Sequence, residues 1–395
     1  MLGIEAGVLA AFAFFLPLYE APKNVLWLVF VALWLVNRWR ARDFGGRWDR
    51  WDTLIVLWIA SGFASAAFAG IKHDEWRAAA DIVRYGGVLW LLKRSRYPDR
   101  AWIHLAAAIV AGTVVALAWG YAALPKTHMQ LQMNSVGHVN HSAIYLAIVF
   151  GLALAAALAW WSTSGAGLRM LAAALLIGFV VSLAWMESRA ALGAALILAS
   201  VLLAVRGARQ RRHLGATGLI LVVAVGAALL LKPEIIEKNT RFMQKGELLN
   251  YREGAWRVGI SAWREFPVFG VGMDNYSRIR PEDVQAWSAK RGEAYDRDAL
   301  LFTHGHSLYV SALTERGLVG LGVLLAVLVA WAAALVRAVP GAQAPPLVWT
   351  YWGGAASAWV VTVLVGVVNT TLHHEHALVA TLLLGGWLSL GRRAA

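Results

Sequence analysis

Phe302-Thr-His-Gly-His-Ser-Leu-Tyr-Val-Ser-Ala-Leu-Thr-Glu-Arg-Gly-Leu-Val-Gly320 closes a long polar segment just before an apolar run begins. His306, Tyr309, Val310, Leu313 and Gly317 recur at helical spacing, which predicts a helix opened by His306 with an apolar stripe facing other protein. On a regular helix the ring of His304, two residues earlier across Gly305, cannot share a face with that of His306. A titratable imidazole then stands at a boundary between water and an apolar medium.

The apolar run after Gly320 is one of many. With 59% hydrophobic residues, 21 Trp among 395 residues and a mean hydropathy of +0.57, the chain is too apolar for a soluble domain. Spanning segments must satisfy their own backbone hydrogen bonds, and these runs lack the alternation of barrel strands. The fold class expected is an all-α polytopic membrane protein. The rule of about 20 apolar residues per span gives about twelve. Their centres lie near Ala10, Phe30, Ala60, Val88, Ile109, Phe150, Ile177, Leu196, Val223, Ala326, Val360 and Leu382. The first run carries Glu5 and no basic leader, so it reads as an uncleaved span. Absence of cysteine excludes disulfides, thiolate metal sites and cysteine nucleophiles.

The net charge of +13 does not point to nucleic acid, because the basic residues cluster in short loops where they set topology. Arg38 to Arg50, Lys93 to Arg100, Arg206 to Arg212 and Arg392-Arg393 all follow even-numbered spans. Both termini are therefore expected in the cytoplasm. The polar segment 232–305, between spans nine and ten, is expected outside. The chain divides accordingly into spans one to nine (1–231), one large helical outer loop (232–305) and spans ten to twelve (306–395).

Polar residues at span ends cost free energy unless they meet water or a partner. Asp81 and Arg84, three apart, are expected to pair. Arg189 follows almost no loop, only Met186-Glu187-Ser188, and stands on the outer side against the positive-inside bias, which suggests an anion partner. His128, His138 and His141 with Asn134 and Asn140 form an outer polar rim without metal-ligand spacing. His373, His374 and His376 beside Glu375 look more like a metal site, but lack a helical i,i+4 pair.

A loop of about 70 residues between two spans exceeds ordinary connections and is expected to be functional. Residues 233–245 read as a short amphipathic helix. Residues 250–266 read as another, with Trp256, Ile260 and Trp263 on one stripe, Arg252 near its start, and Arg257 and Arg264 flanking the stripe. Pro267-Val-Phe-Gly-Val-Gly272 is a turn, and Pro281 suits the first position of a third helix. Asp296 and Asp298, with Arg297 between them, read as solvated loop charge.

His306, Arg189 and an arginine-bearing helix thus converge on the outer face. Arginines can hold phosphates in bidentate fashion, and a neutral histidine can take a proton from a hydroxyl nucleophile. The combination suits a lipid diphosphate donor and an alcohol acceptor. Positive charge at the leaving group removes the need for a metal or other cofactor.

These residues resemble a family. His306-Ser-Leu-Tyr-Val-Ser-Ala-Leu-Thr-Glu-Arg-Gly317 is similar to the His-Asn-x-Tyr-Leu…Glu-x-Gly signature of bacterial O-antigen ligases and polymerases. Asn250-Tyr-Arg252…Trp256 with Phe266-Pro-Val-Phe-Gly-Val-Gly272 resembles their Arg…Trp and Pro-x-x-Gly-x-Gly elements, and Ser188-Arg189-Ala-Ala-Leu-Gly193 their Ser-Arg-Gly element. Ser307 and Ala190 stand where the family commonly has Asn and Gly. The resemblance implies metal-independent, inverting glycosyl transfer at the periplasmic face of a bacterial inner membrane. O-antigen would pass from undecaprenyl diphosphate to lipid A-core oligosaccharide, among membrane lipids. By the same resemblance His306 would be the base and Arg189 and Arg252 the diphosphate clamp; from their places beside these, His304, Arg257 and Arg264 are expected as further substrate-binding residues. Polymerases and protein O-oligosaccharyltransferases share these motifs. A lipid-linked sugar transporter would show repeated halves with broken helices, and no such repeat is present.

Overall fold

The computed structural model of the chain describes residues 2–73, 75–127, 130–207, 214–231, 252–294 and 304–394, and among these the regular structure is helical, with no strand. In chain order the helices are α1 (Leu2–Phe15), α2 (Glu20–Ala41), α3 (Arg50–Ala67), α4 (Glu75–Lys93), α5 (Asp99–Thr127), α6 (Val139–Trp160), α7 (Ala166–Trp185), α8 (Arg189–Gly207), α9 (Leu214–Leu231), α10 (Arg252–Glu265), α11 (Pro281–Lys290), α12 (Leu308–Arg337), α13 (Pro346–Val365) and α14 (His374–Ala394). Each span centre expected from hydropathy falls on one of α1–α9 or α12–α14. Among the described residues, α5, α6, α7, α8, α12 and α13 are long and apolar enough to cross a membrane.

The centre of the bundle is the pair α6 and α13, flanked by α8 and α14. Small residues let their backbones approach: a Cβ on Gly151 would lie 2.0 Å from the Ser357 hydroxyl, and one on Gly353 2.3 Å from the Ala155 methyl. Around this core α4 packs on α14 and α3, α1 on α5 and α2, and α7 on α9. Tryptophans divide by position. Trp34, Trp102 and Trp331 are buried, whereas Trp39, Trp48, Trp76 and Trp119, near helix ends, are exposed, as aromatic residues at headgroup level are.

Residues 252–294 build a small core of their own from Val258, Ala262, Val271, Tyr276, Ile279 and Val284. Pro281 occupies the first turn of α11 as its fixed φ predicts. On α10 the buried stripe is Ala255, Val258, Gly259 and Ala262, not the expected Trp256, Ile260 and Trp263. The reason is close approach: a Cβ on Gly259 would meet Thr314 Oγ1 at 2.5 Å and Val310 Cγ1 at 2.9 Å, so only small residues fit against α12. The helix expected over 233–245, together with Asp296, Asp298 and His128, lies outside the described residues.

The helical stripe read through Gly317 is interrupted there. Gly317 has φ 60 and ψ −162, which divides α12 into 308–316 and 318–337. Such a break leaves the carbonyls of Thr314 and Glu315 and the N–H groups of Leu318 and Val319 without intrahelical partners. The 267–272 turn supplies all four. Val271 N–H donates to the Thr314 carbonyl (2.9 Å) and Gly272 N–H to Glu315 (3.0 Å), while Leu318 and Val319 donate to the carbonyls of Pro267 (2.9 Å) and Val268 (3.2 Å). The Ser65 hydroxyl adds bonds to the carbonyls of Phe269 (2.8 Å) and Glu315 (2.7 Å), tying α3 to the same joint. At about 0.5–1.5 kcal/mol net each, and more for a buried group left unmade, these bonds splice the loop into the bundle.

Candidate functional site

His306 does not open α12. It lies two residues earlier with φ 45, in the left-handed region a non-glycine residue rarely occupies. Ser307 is the N-cap instead. Its hydroxyl accepts from Val310 N–H (3.4 Å) and donates to the Gly366 carbonyl (3.2 Å), and Leu308 N–H reaches the carbonyls of Gly366 (2.8 Å) and Asn369 (3.1 Å). A short hydroxyl is a strong N-cap, so Ser serves structurally at this position. The turn is thereby pinned to the segment between α13 and α14.

Because His304 and His306 sit in this turn and not on a helix, the expectation that their rings diverge fails. The ring centroids are 4.1 Å apart. Burial, then the neighbouring charges of His304, Arg252 and His138, pushes His306 down to about 4, and burial with His138 and His374 lowers His304. Both rings are therefore neutral at neutral pH and able to accept a proton.

Arg189 is the first residue of α8, after Ser188 and the left-handed Glu187. Arg252 is the first residue of α10. Burial and the positive charge of Arg189 lower Arg252, and Arg252 in turn acts on His306. Two guanidiniums from distant parts of the chain thus share one electrostatic neighbourhood with the histidine pair. Two like charges held together disfavour each other unless an anion joins them. Arg257 is exposed. Arg264, about 18 Å further along α10 by helical rise, is ion-paired with Glu293 at 2.7 Å. The structure brings Arg189, Arg252, His304 and His306 together and sets Arg264 apart.

The sequence separated two histidine groups that the fold joins. His141 on α6 stacks within 5.4 to 6.4 Å of His138, His373, His374 and His376 by ring centroids, and this cluster reaches the His304–His306 pair electrostatically. Burial, followed by its histidine neighbours, holds His373 well below the usual range. The signal that could have joined the two groups was topology, since every one of these histidines lies at an exit on the same expected side. No group of three or more His, Asp or Glu among the described residues is arranged to hold a metal ion. Glu375 is instead committed to Lys23, whose ammonium also bonds Glu20 (2.5 Å) and the Ser135 hydroxyl (3.2 Å). Asp81 and Arg84 pair at 3.6 Å, and Arg84 also donates to Asn24 at 2.9 Å.

Residues 173–325, from within α7 to within α12, match the family model described as O-antigen ligase. Arg189, Arg252, His304 and His306 all fall inside this segment. No curated protein matches the chain.

Proposed function

We propose, from the match of residues 173–325 to the O-antigen ligase family model, that this protein joins O-antigen polysaccharide from undecaprenyl diphosphate to lipid A-core oligosaccharide. The reaction takes place at the periplasmic face of the inner membrane. The observation that carries the reading is the meeting of Arg189, Arg252 and a neutral His306 at one end of the bundle.

In this reading Arg189 and Arg252 hold the donor's diphosphate. The acceptor hydroxyl loses its proton to the His306 imidazole as its oxygen forms the new bond to the anomeric carbon. The bond from that carbon to the phosphate oxygen breaks, and its electron pair leaves with undecaprenyl diphosphate, where the guanidiniums stabilise the charge. Attack opposite the leaving group inverts the anomeric centre. No step requires a metal. The bound diphosphate also answers how a base pushed down to about 4 works at neutral pH, because its negative charge offsets Arg252 and raises the imidazole toward its ordinary range.

Twelve spans with both termini cytoplasmic and residues 232–305 as a periplasmic loop complete the proposal, supported by the charge of the even-numbered exits. The deciding experiment is the lipopolysaccharide ladder of a strain lacking the protein. Loss of all long bands with lipid-linked polymer accumulating is the expected result, whereas bands one repeat long would make it a polymerase, and an unchanged ladder would move the acceptor to another molecule.

A further inference from the structure

The far end of the bundle carries a second basic site. Ser389 on α14 lies 15 residues after His374, about 22 Å along the helix, and lines a cleft of about 630 Å³ with Arg47, Lys93, Arg94, Ser95, Arg96 and Tyr97. Lys93 and Arg94 are buried (2% and 4% exposed), although positive residues that merely orient a chain are satisfied by water.

Two aspartates hold them in place. Asp49 caps α3, accepting from Trp51 N–H (2.8 Å) and Asp52 N–H (3.2 Å) while Asp52 returns the bond to Asp49 N–H (2.8 Å). Arg94 grips Asp52 in bidentate fashion (3.0 and 2.8 Å) and donates to the carbonyls of Phe44 (2.8 Å) and Gly46 (3.0 Å). Lys93 bridges Asp49 (2.6 Å) and Asp52 (2.7 Å). These four charges cancel. The cleft keeps two more guanidiniums, Arg47, which has no ion pair among the described residues, and Arg96, exposed and 3.6 Å from Asp43. Exposed Trp39, Phe44 and Trp48 lie beside it, a composition suited to headgroup depth.

We propose that this cleft binds the phosphate of an anionic phospholipid headgroup, with Arg47 and Arg96 as its contacts and the Lys93–Arg94–Asp49–Asp52 network as the rigid floor. The geometry favours a lipid over a free anion, because the exposed aromatic and apolar face of α2 next to the cleft gives acyl chains a surface to lie against.

The test is thermal unfolding of the full chain in neutral detergent with added phosphatidylglycerol, phosphatidylcholine or inorganic phosphate, with bound lipid counted by native mass spectrometry. Phosphatidylglycerol is expected to raise Tm by about 3 °C or more, and the other two additives not to. Arg47→Gln/Arg96→Gln should lose most of the shift and the retained lipid, while Arg47→Lys/Arg96→Lys should keep much of both. An equal shift in the Gln double variant, or from phosphatidylcholine, would overturn the site. An equal shift from inorganic phosphate would overturn the lipid.

Discussion

The rings of His304 and His306 lie 4.1 Å apart between centroids, in a turn closed by the Ser307 cap. A pair so close cannot carry two protons without repulsion, so positive charge on His304 disfavours protonation of His306 and keeps that ring available as an acceptor. His306→Ala is expected to lower glycosyl transfer by roughly a hundred- to ten-thousand-fold, the range of general-base assistance, with donor binding retained. Near-normal turnover in that variant would leave the arginines as the main source of rate.

The pH profile follows from the same pair. His306 is pushed down to about 4, so the ring is active when unprotonated and activity should fall as pH drops through its pKa. The acid limb of kcat/KM, which reports the free enzyme, should therefore lie below the ordinary histidine value, and that of kcat higher once the diphosphate is bound. His304→Gln removes a positive neighbour and should move the kcat/KM limb upward. An unmoved limb would mean that the two rings titrate independently.

Arg189→Ala and Arg252→Ala should each reduce transfer by at least about a hundred-fold with the protein still inserted, as loss of a charge-stabilising donor does. Lysine at either position should recover only part of the activity because it lacks the planar fork. Arg264→Ala should leave turnover within a few-fold of the parent, since Arg264 faces Glu293. If Arg264→Ala were as damaging as Arg252→Ala, the clamp would have to be extended along α10.

Gly317→Ala should destabilise the protein by more than about 2 kcal/mol, combining a φ of 60 with a Cβ placed 2.3 Å from the Val268 carbonyl carbon. The expected readout is a lower Tm and reduced yield in detergent, with Gly270→Ala similar because its Cβ would meet the Glu315 backbone at 2.5 Å. Unchanged Tm in both would show that the splice between the 267–272 turn and α12 can relax.

Topology is testable because the chain has no cysteine of its own. A cysteine at exposed Gln285 should react with a membrane-impermeant thiol reagent in intact spheroplasts, and one at exposed Asp99 should not. The reverse pattern would invert the scheme.

The helical bundle was legible because hydropathy is a local property. Each apolar run must satisfy its own hydrogen bonds, so a single window of sequence predicts a single helix, and all the expected centres fall on helices. The site was legible only in its parts. Arg189 stood out because arginine at an apolar boundary is costly, Arg252 because it lies near the start of an arginine-bearing amphipathic helix, and the Asp81–Arg84 pair because three residues is helical spacing. The stripe on α10 was misread because burial there follows backbone approach at Gly259, not side-chain size.

What the sequence by itself determined was each helix and the charged or titratable residues at its ends, since propensity, hydropathy and spacing act within a few turns. Tertiary structure decided which ends meet. Breaking α12 at Gly317 frees four backbone groups that the 267–272 turn answers, and that docking sets α10, with Arg252 at its start, against α12. The Ser307 cap bonds to the segment after α13 and holds His304 beside His306. These are contacts between residues tens of positions apart, chosen by close packing and hydrogen-bond satisfaction across the whole bundle, and no local pattern encodes them.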